Sequence, residues 1–188
     1  LHMTEPSHRR GKIVDDKILA STIAVIEETG TLSIKVGRVA ELAGVNKTTI
    51  YRRFPKREDL VLAALQAHAD TSIPIPDSGS LRGDLLAIAI AVRSSVVSPL
   101  GRALLSASAN ASPELAELRP AFWSRRFSAA ADVVRRAHLR GECGEVDDPE
   151  LLVELMAAPI HFRATQIGTE ITDDYLELQV ARALGAIA

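Results

Sequence analysis

The chain has 188 residues, 47% apolar and 24% charged, with 22 bases against 24 acids and a formal net charge of −2. Those values suit a globular protein with ample chain for a core and exclude a highly charged disordered chain. The longest uninterrupted apolar run, Leu85 to Val92, is eight residues, far short of a membrane span, and the one cysteine, Cys143, excludes an intrachain disulfide.

Strand-favouring residues never alternate over a long run, and Ala and Leu dominate, so the fold is expected to be all-α with about nine helices. No signal-peptide pattern opens the chain, and a cytoplasmic protein with no membrane partner is expected. Residues 1–11, polar with Pro6 and Gly11, read as a disordered tail, Leu1 and His2 being cloning residues ahead of Met3. Within it, His8, Arg9 and Arg10 form either a solvated tail or an arm toward phosphate or a minor groove. A first helix is predicted from Lys12 to Thr29, with the stripe Ile18, Leu19, Ile23 and Ile26, ended by Gly30.

A short helix follows over Val36–Ala43, where Val36, Val39, Ala40 and Ala43 line one face at i, i+3, i+4, i+7. Gly44 supplies the positive φ of a helix stop, and Val45 plugs the turn. Asn46 is placed to cap a second helix, Lys47–Arg53, from which Pro55 excludes Phe54. Of that helix only Ile50 is plainly apolar; with Val45 and Phe54 it is the expected anchor. Lys47, Thr48, Thr49, Tyr51, Arg52 and Arg53 remain for solvent, the residue types that meet base edges and phosphates when such a helix enters the major groove. Between Lys35 and Arg57 seven bases (Lys35, Arg38, Lys47, Arg52, Arg53, Lys56, Arg57) stand against one acid, Glu41. A local charge of +6 in a chain of net −2 is the footprint of a phosphate-binding surface.

The stretch V36-G-R-V39-A40-E-L-A43-G44-V45-N46-K-T-T49-I50-Y51-R-R-F54-P-K-R57-E58-D-L60 resembles the helix–turn–helix of TetR-family transcriptional regulators. The family's run is V-x-x-I-A-x-x-A-G-V-S-x-x-T-[IL]-Y-x-[YH]-F-x-x-K-E-x-L. The likeness spans about a third of the chain, Lys12 to about Asp70. Lys35 stands where the family often has Thr, Gly37 where a polar side chain is usual, and Arg53 where Tyr or His is common. The resemblance implies a DNA-binding domain over residues 12–71 (motif about 36–54). It also implies a helical regulatory, ligand-binding and dimerisation domain over 72–188. Lys35, Arg38, Asn46, Lys47, Thr48, Thr49, Tyr51, Arg52, Arg53, Lys56 and Arg57 are the expected DNA contacts. Among them Tyr51, Thr49 and Arg57 would position the protein, and Lys47, Thr48, Arg52 and Arg53 would read sequence.

A fourth helix, Lys56–Thr71, opens with Glu58 and Asp59 at its positive end and buries Leu60, Val61, Ala64 and Leu65. By resemblance its tilt sets the separation of two recognition helices. Residues 72–80, with two prolines and a glycine, form a loop. Leu81–Val97, apolar nearly all round, is expected to be a central buried helix. Leu100–Ala109 follows after Pro99. Ser112, Pro113 and Glu114 cap a long helix to Leu139, and Asp148, Pro149 and Glu150 repeat that pattern for Leu151–Gln166, in which Pro159 predicts a kink. Thr172 caps the last helix, Asp173 to about Ala186.

The last two helices carry more apolar residues than one covered face needs. By resemblance they pair with a second copy as a four-helix bundle, through Leu151, Leu155, Ile160, Tyr175, Leu176, Val180 and Leu184, though the same residues could fill a monomer core. The two-fold would set the recognition helices about 34–36 Å apart on a palindromic operator. The family also implies a small-molecule pocket between central helices. Phe122, Trp123, Phe127, Met156, His161 and Phe162 are candidate lining or plain core, with Arg126 and His161 as polar anchors for an acidic effector. No cofactor is implied, and His2, His8, His68, His138, His161 and Cys143 lack metal-site spacing. Two functions of different class stay open at this point. One is a ligand-responsive DNA-binding repressor (or a constitutive regulator); the other is an enzyme with a pocket around His161 and Glu154 or Glu170, for which no catalytic residues can be assigned.

Overall fold

The computed structural model describes residues 5–110 and 113–187, with side chains from Gly11 to Leu105, at Pro113, Ala116 and Glu117, and from Arg119 to Ile187. Nine α-helices and no strand occur among the described residues: α1 Glu5–Thr29, α2 Val36–Ala43, α3 Lys47–Arg53, α4 Arg57–Ser72, α5 Leu81–Val96, α6 Pro99–Asn110, α7 Pro113–Leu139, α8 Pro149–Phe162 and α9 Asp173–Gly185. Two compact units divide the chain: Leu1–His68 with Ala103–Leu118, and Ala69–Arg102 with Arg119–Ala188. The chain therefore crosses between them three times, where the sequence suggested one cut after Thr71.

In the first unit α1 starts at Glu5, seven residues before the expected Lys12. Pro6 sits in the first turn, where its missing N–H costs nothing, and Gly11 weakens a helix without forbidding it. The expected tail thus belongs in part to the helix; residues 1–4, and the side chains of His8, Arg9 and Arg10, lie outside the described residues. Ile18, Ile23, Val25 and Ile26 of α1 meet Val36, Val39, Ala40 and Ala43 of α2 in one core. Leu32 and Ile34, in the connection between these helices, are buried too. Thr22 is buried because its hydroxyl donates back to the Ile18 carbonyl at 2.8 Å.

The second unit has its core between α5, α7, α8 and α9, built on Leu85, Ile88, Val133, Val134, Leu152, Met156, Ile160, Leu176 and Val180. Caps fix the helix starts. Ser80 accepts from Gly83 N–H at 3.2 Å, Ser98 from Gly101 N–H at 3.0 Å, Asp148 from Leu151 N–H at 2.9 Å and Thr172 from Tyr175 N–H at 3.3 Å. The expected cap Ser112 lies outside the described residues.

Two expectations change here. Helix α5 is buried on one face only: Leu81, Leu85, Ile88 and Ala89 pack inward while Ile90 is exposed. Its partners α8 and α9 cover one side, so apolarity all round did not mean burial all round. Helix α8 keeps α geometry through Pro159 and ends at Phe162; a single π-helical turn, Arg163–Ile167, follows and closes on Gly168 at φ 71. Pro159 cannot donate to the carbonyl four residues back, and the departure from α geometry comes four residues after it.

The acid in the first turn of α5, Asp84, is fully buried. Its Oδ1 accepts from Ser78 N–H at 2.6 Å, and Arg136 and Arg140 of α7 lie 3.8 and 4.0 Å from Oδ2. Arg136 also donates to the Pro76 carbonyl, and Arg126 to the Ile73 carbonyl at 3.1 Å. The linker of residues 73–80 is therefore strapped along α7 by arginines and by one buried carboxylate.

Candidate nucleic-acid interface

The turn between α2 and α3 is built as its sequence requires. Gly44 takes φ 67, ψ 34, and Val45 N–H donates to the Ala40 carbonyl at 3.0 Å, closing α2 with a Schellman-type bond. Asn46 Oδ1 then accepts from the Thr48 backbone N–H and from the Thr48 hydroxyl, both at 3.2 Å. A seven-residue helix is marginal by itself; α3 is held by this cap and by Ile50, its one buried side chain.

Burial sorts the expected contacts. Lys47, Thr48, Tyr51 and Arg52 are exposed, at i, i+1, i+4 and i+5, and form one outward stripe opposite Ile50. Lys35, at the start of α2, and Lys56, just before α4, are exposed as well. None of Lys35, Lys47, Arg52 and Lys56 forms an ion pair among the described residues. Asn46 spends its oxygen on the cap, and Thr49 is half-buried with its carbonyl accepting from Arg53 Nη1 at 3.3 Å.

Three of the seven bases are engaged within the chain. Arg38 pairs with Glu28 at 3.3 Å and Glu41 at 3.1 Å, and both raise the pKa of its guanidinium, Glu41 first. Arg57 grips Oε1 of Glu58 through Nε at 2.9 Å and Nη2 at 2.7 Å. Arg53 pairs with Asp15 of α1 and is mostly covered. Counting Asp15, Glu28 and Glu58 beside Glu41, the local charge is +3, half of what the sequence stretch alone indicated. Arg53, expected to read sequence, is held by Asp15 in the unbound chain, a contact that braces α3 against α1. No periodicity could show this, since its partner lies 38 residues away. Replacing Asp15 by Ala should lower the thermal midpoint by about 2–4 °C, the shift for roughly 1 kcal/mol from a part-exposed pair, while leaving base preference unchanged. A scanning melt and a base-by-base competition assay check the two halves.

The effector candidates divide as well. Trp123 stacks near Phe127 at 5.8 Å and meets Phe122 edge-on at 5.2 Å and His161 edge-on at 5.4 Å. Burial lowers the His161 pKa, so the imidazole is neutral at neutral pH. Met156 is in the core, with Phe127 packed against that core. Arg126, whose pKa is lowered by burial, is committed to the Ile73 carbonyl. Phe162 is an exposed surface residue, set on α8 one position past His161.

The expected interface residues separate by face. Ile160, Leu176 and Val180 are 0% exposed, whereas Leu151 is 46%, Leu155 58%, Phe162 58% and Leu178 45% exposed. The first three are core and cannot meet another chain by their side chains. Tyr175 and Leu184 are half-buried, Tyr175 with Arg163 over its ring at 4.3 Å. The outward apolar stripes are Leu151, Leu155, Ala158 and Phe162 on α8, and Leu178, Ala181 and Gly185 on α9, each at i, i+3/i+4, i+7 spacing. Among the described residues no single helix is long and apolar enough to cross a membrane, and no group of three or more His, Cys, Asp or Glu could hold a metal ion; the His2 and His8 side chains lie outside them.

Residues 18–64 match the family model described as bacterial regulatory proteins, tetR family, and residues 75–183 match the tetracyclin repressor-like C-terminal domain. The chain is 34% identical over 178 residues to the HTH-type transcriptional regulator AqdR of Rhodococcus erythropolis, covering 90% of this chain and 86% of that one. It is 26% identical over 186 residues to the HTH-type transcriptional regulator YdeS of Bacillus subtilis, covering 95% and 94%. Its fold superposes on the TetR family transcription regulator SCO0332 with a TM-score of 0.76 at 26% identity, covering 93% of this chain and 98% of that one.

Proposed function

We propose that this chain, which belongs to the TetR family of transcriptional regulators and so to a family of DNA-binding proteins rather than enzymes, represses transcription from a palindromic operator as a cytoplasmic homodimer until a small-molecule effector releases it. The observation that carries this reading is the outward stripe of α3. Four side chains, Lys47, Thr48, Tyr51 and Arg52, face solvent from a helix whose one buried residue is Ile50. Two cations, a hydroxyl and a phenol on the second helix of a helix–turn–helix suit contact with the bases and phosphates of a major groove. The +3 charge around them draws the surface to phosphate.

The second unit is where an effector acts. The aromatic group Phe122, Trp123, Phe127 and His161 on α7 and α8 offers flat, mostly apolar contact with one neutral imidazole as a polar handle. Helix α7 also holds the end of α4 directly, since Arg125 pairs with Asp70 at 2.6 Å and Arg126 holds Ile73. A ligand that favours a different α7 position is thereby felt by α4, which runs unbroken from Arg57 to Ser72. Such a ligand acts only through its different affinity for the two conformers.

The test is a mobility shift with DNA from upstream of the chain's own gene. Arg52→Ala and Tyr51→Ala should each weaken the shifted complex by about 10- to 100-fold, the effect of losing a groove contact worth roughly 1–3 kcal/mol. Unchanged affinity in both variants would remove α3 as the recognition helix. Candidate ligands added to the complex separate an inducible regulator from a constitutive one.

A further inference from the structure

Gly37 is the second residue of α2, and nothing in its backbone calls for glycine, because the positive-φ glycines are Gly30, Gly44, Gly79, Gly141 and Gly168. Glycine inside a helix is less favourable than alanine, so the residue at 37 needs another reason. It lies across the turn. A Cβ on Gly37 would stand 2.8 Å from Cε and 3.1 Å from Nζ of Lys47. The missing side chain is thus the space that the end of Lys47 occupies. Lys47 is rooted at the first position of α3, among the base-facing residues, but its stem lies back over the first turn of α2. No acid stands in that turn, and the residue before it is Lys35. Among the described residues the ammonium forms no ion pair, and its end lies over α2 rather than along α3.

From this geometry we propose that Gly37 is a positioning residue for Lys47, and that the pair makes Lys47 a phosphate contact rather than a reader of bases. In a helix–turn–helix the first helix crosses the sugar–phosphate backbone while the start of the second meets base edges. A lysine drawn from the second onto the first is moved from bases to phosphate. Any side chain at 37 pushes the ammonium back along α3. Because the atoms in the way are the far end of a flexible side chain and not backbone, Lys47 gives way and the fold does not. The sequence-based expectation that Lys47 reads sequence is replaced, leaving Thr48 and Arg52 for that role. The proposal rests on the DNA-binding reading given above.

The probe is a duplex enriched from a randomised library by the unaltered protein, compared with an unrelated duplex. Lys47→Ala should weaken both duplexes by a similar factor, about tenfold. It should also reduce the steepness of the salt dependence by about 2 for a dimer, one counterion per lost phosphate contact. Gly37→Ala should leave the thermal midpoint equal or higher, lose most of the affinity that Lys47→Ala loses, and add nothing in the Lys47→Ala background. The proposal is overturned if Gly37→Ala weakens binding equally with and without Lys47, or if it leaves affinity untouched. It is also overturned if Lys47→Ala keeps the salt slope and changes preference at one base pair. Failure of any duplex to enrich would overturn the DNA-binding reading and this proposal together, whereas an additive cycle on an enriched duplex removes this proposal alone.

Discussion

Raising monovalent salt from about 50 to about 200 mM should lower operator affinity by about 10³-fold, the low end of the range expected for proteins that neutralise six to ten phosphates. The number comes from counting which cations are available. Seven bases lie between Lys35 and Arg57, but Arg38, Arg53 and Arg57 already sit on carboxylates. Lys35, Lys47 and Lys56 remain for phosphate, six in a dimer, since Arg52 is assigned to base edges. At about 0.9 counterions released per neutralised phosphate, the plot of log affinity against log salt should have a slope of about −5. Had Arg38, Arg53 and Arg57 bound phosphate as well, the slope would be near −11. A titration by fluorescence anisotropy at several salt concentrations therefore tests more than DNA binding. A slope near −5 says that the three ion pairs stay closed on the operator, a slope near −11 says that they open, and a slope shallower than about −3 denies the surface its role. The pairs cost little to keep, since solvent-accessible pairs are worth about 1 kcal/mol or less each, so beyond bracing the fold they act as brakes on non-specific attraction.

Much of this surface was legible in the residues. The bounds of α2 and α3 follow from Gly44, Asn46 and Phe54-Pro55, each of which acts locally: a positive φ, a cap oxygen, a ring that cannot continue a helix. The same holds for Asp148 and Thr172, whose caps the structure reproduces at 2.9 and 3.3 Å. Long-range pairings were not legible. Nothing in the spacing of Arg53 names Asp15, and nothing in Gly37 names Lys47 ten positions on, because both contacts depend on how helices are laid against one another. Pro120 lies inside α7, where the helix continues through it despite the backbone hydrogen bond its ring removes. The strap of Arg126, Arg136 and Arg140 along the linker had no signal beyond three cations at spacings of ten and four.

Faces of apolar helices were the other blind spot, and they carry the second large prediction. Helices α8 and α9 are apolar on two sides, so counting residues could not say which side is core. The structure does: Ile160, Leu176 and Val180 point in, while Leu151, Leu155, Phe162 and Leu178 point out. Two apolar stripes on neighbouring helices, left uncovered by a single chain, fit a second copy across a two-fold. Leu155→Glu should therefore convert a two-chain particle into a single chain of 20.2 kDa by analytical ultracentrifugation, because a carboxylate buried without a partner is not tolerated at an interface. With one recognition helix per particle, the gain from holding two half-sites at once is lost, and operator affinity should fall by about 10²- to 10⁴-fold. Ile160→Ala supplies the contrast. It opens a cavity in the core and should cost about 2–5 kcal/mol of stability, yet folded protein should keep its two-chain mass at concentrations well above the dimer dissociation constant. If Leu155→Glu kept the mass and Ile160→Ala halved it, the inward and outward faces would be reversed. If the unaltered chain were already a single copy in solution, the palindrome would have to be given up, and Lys47, Thr48, Tyr51 and Arg52 would meet one half-site alone.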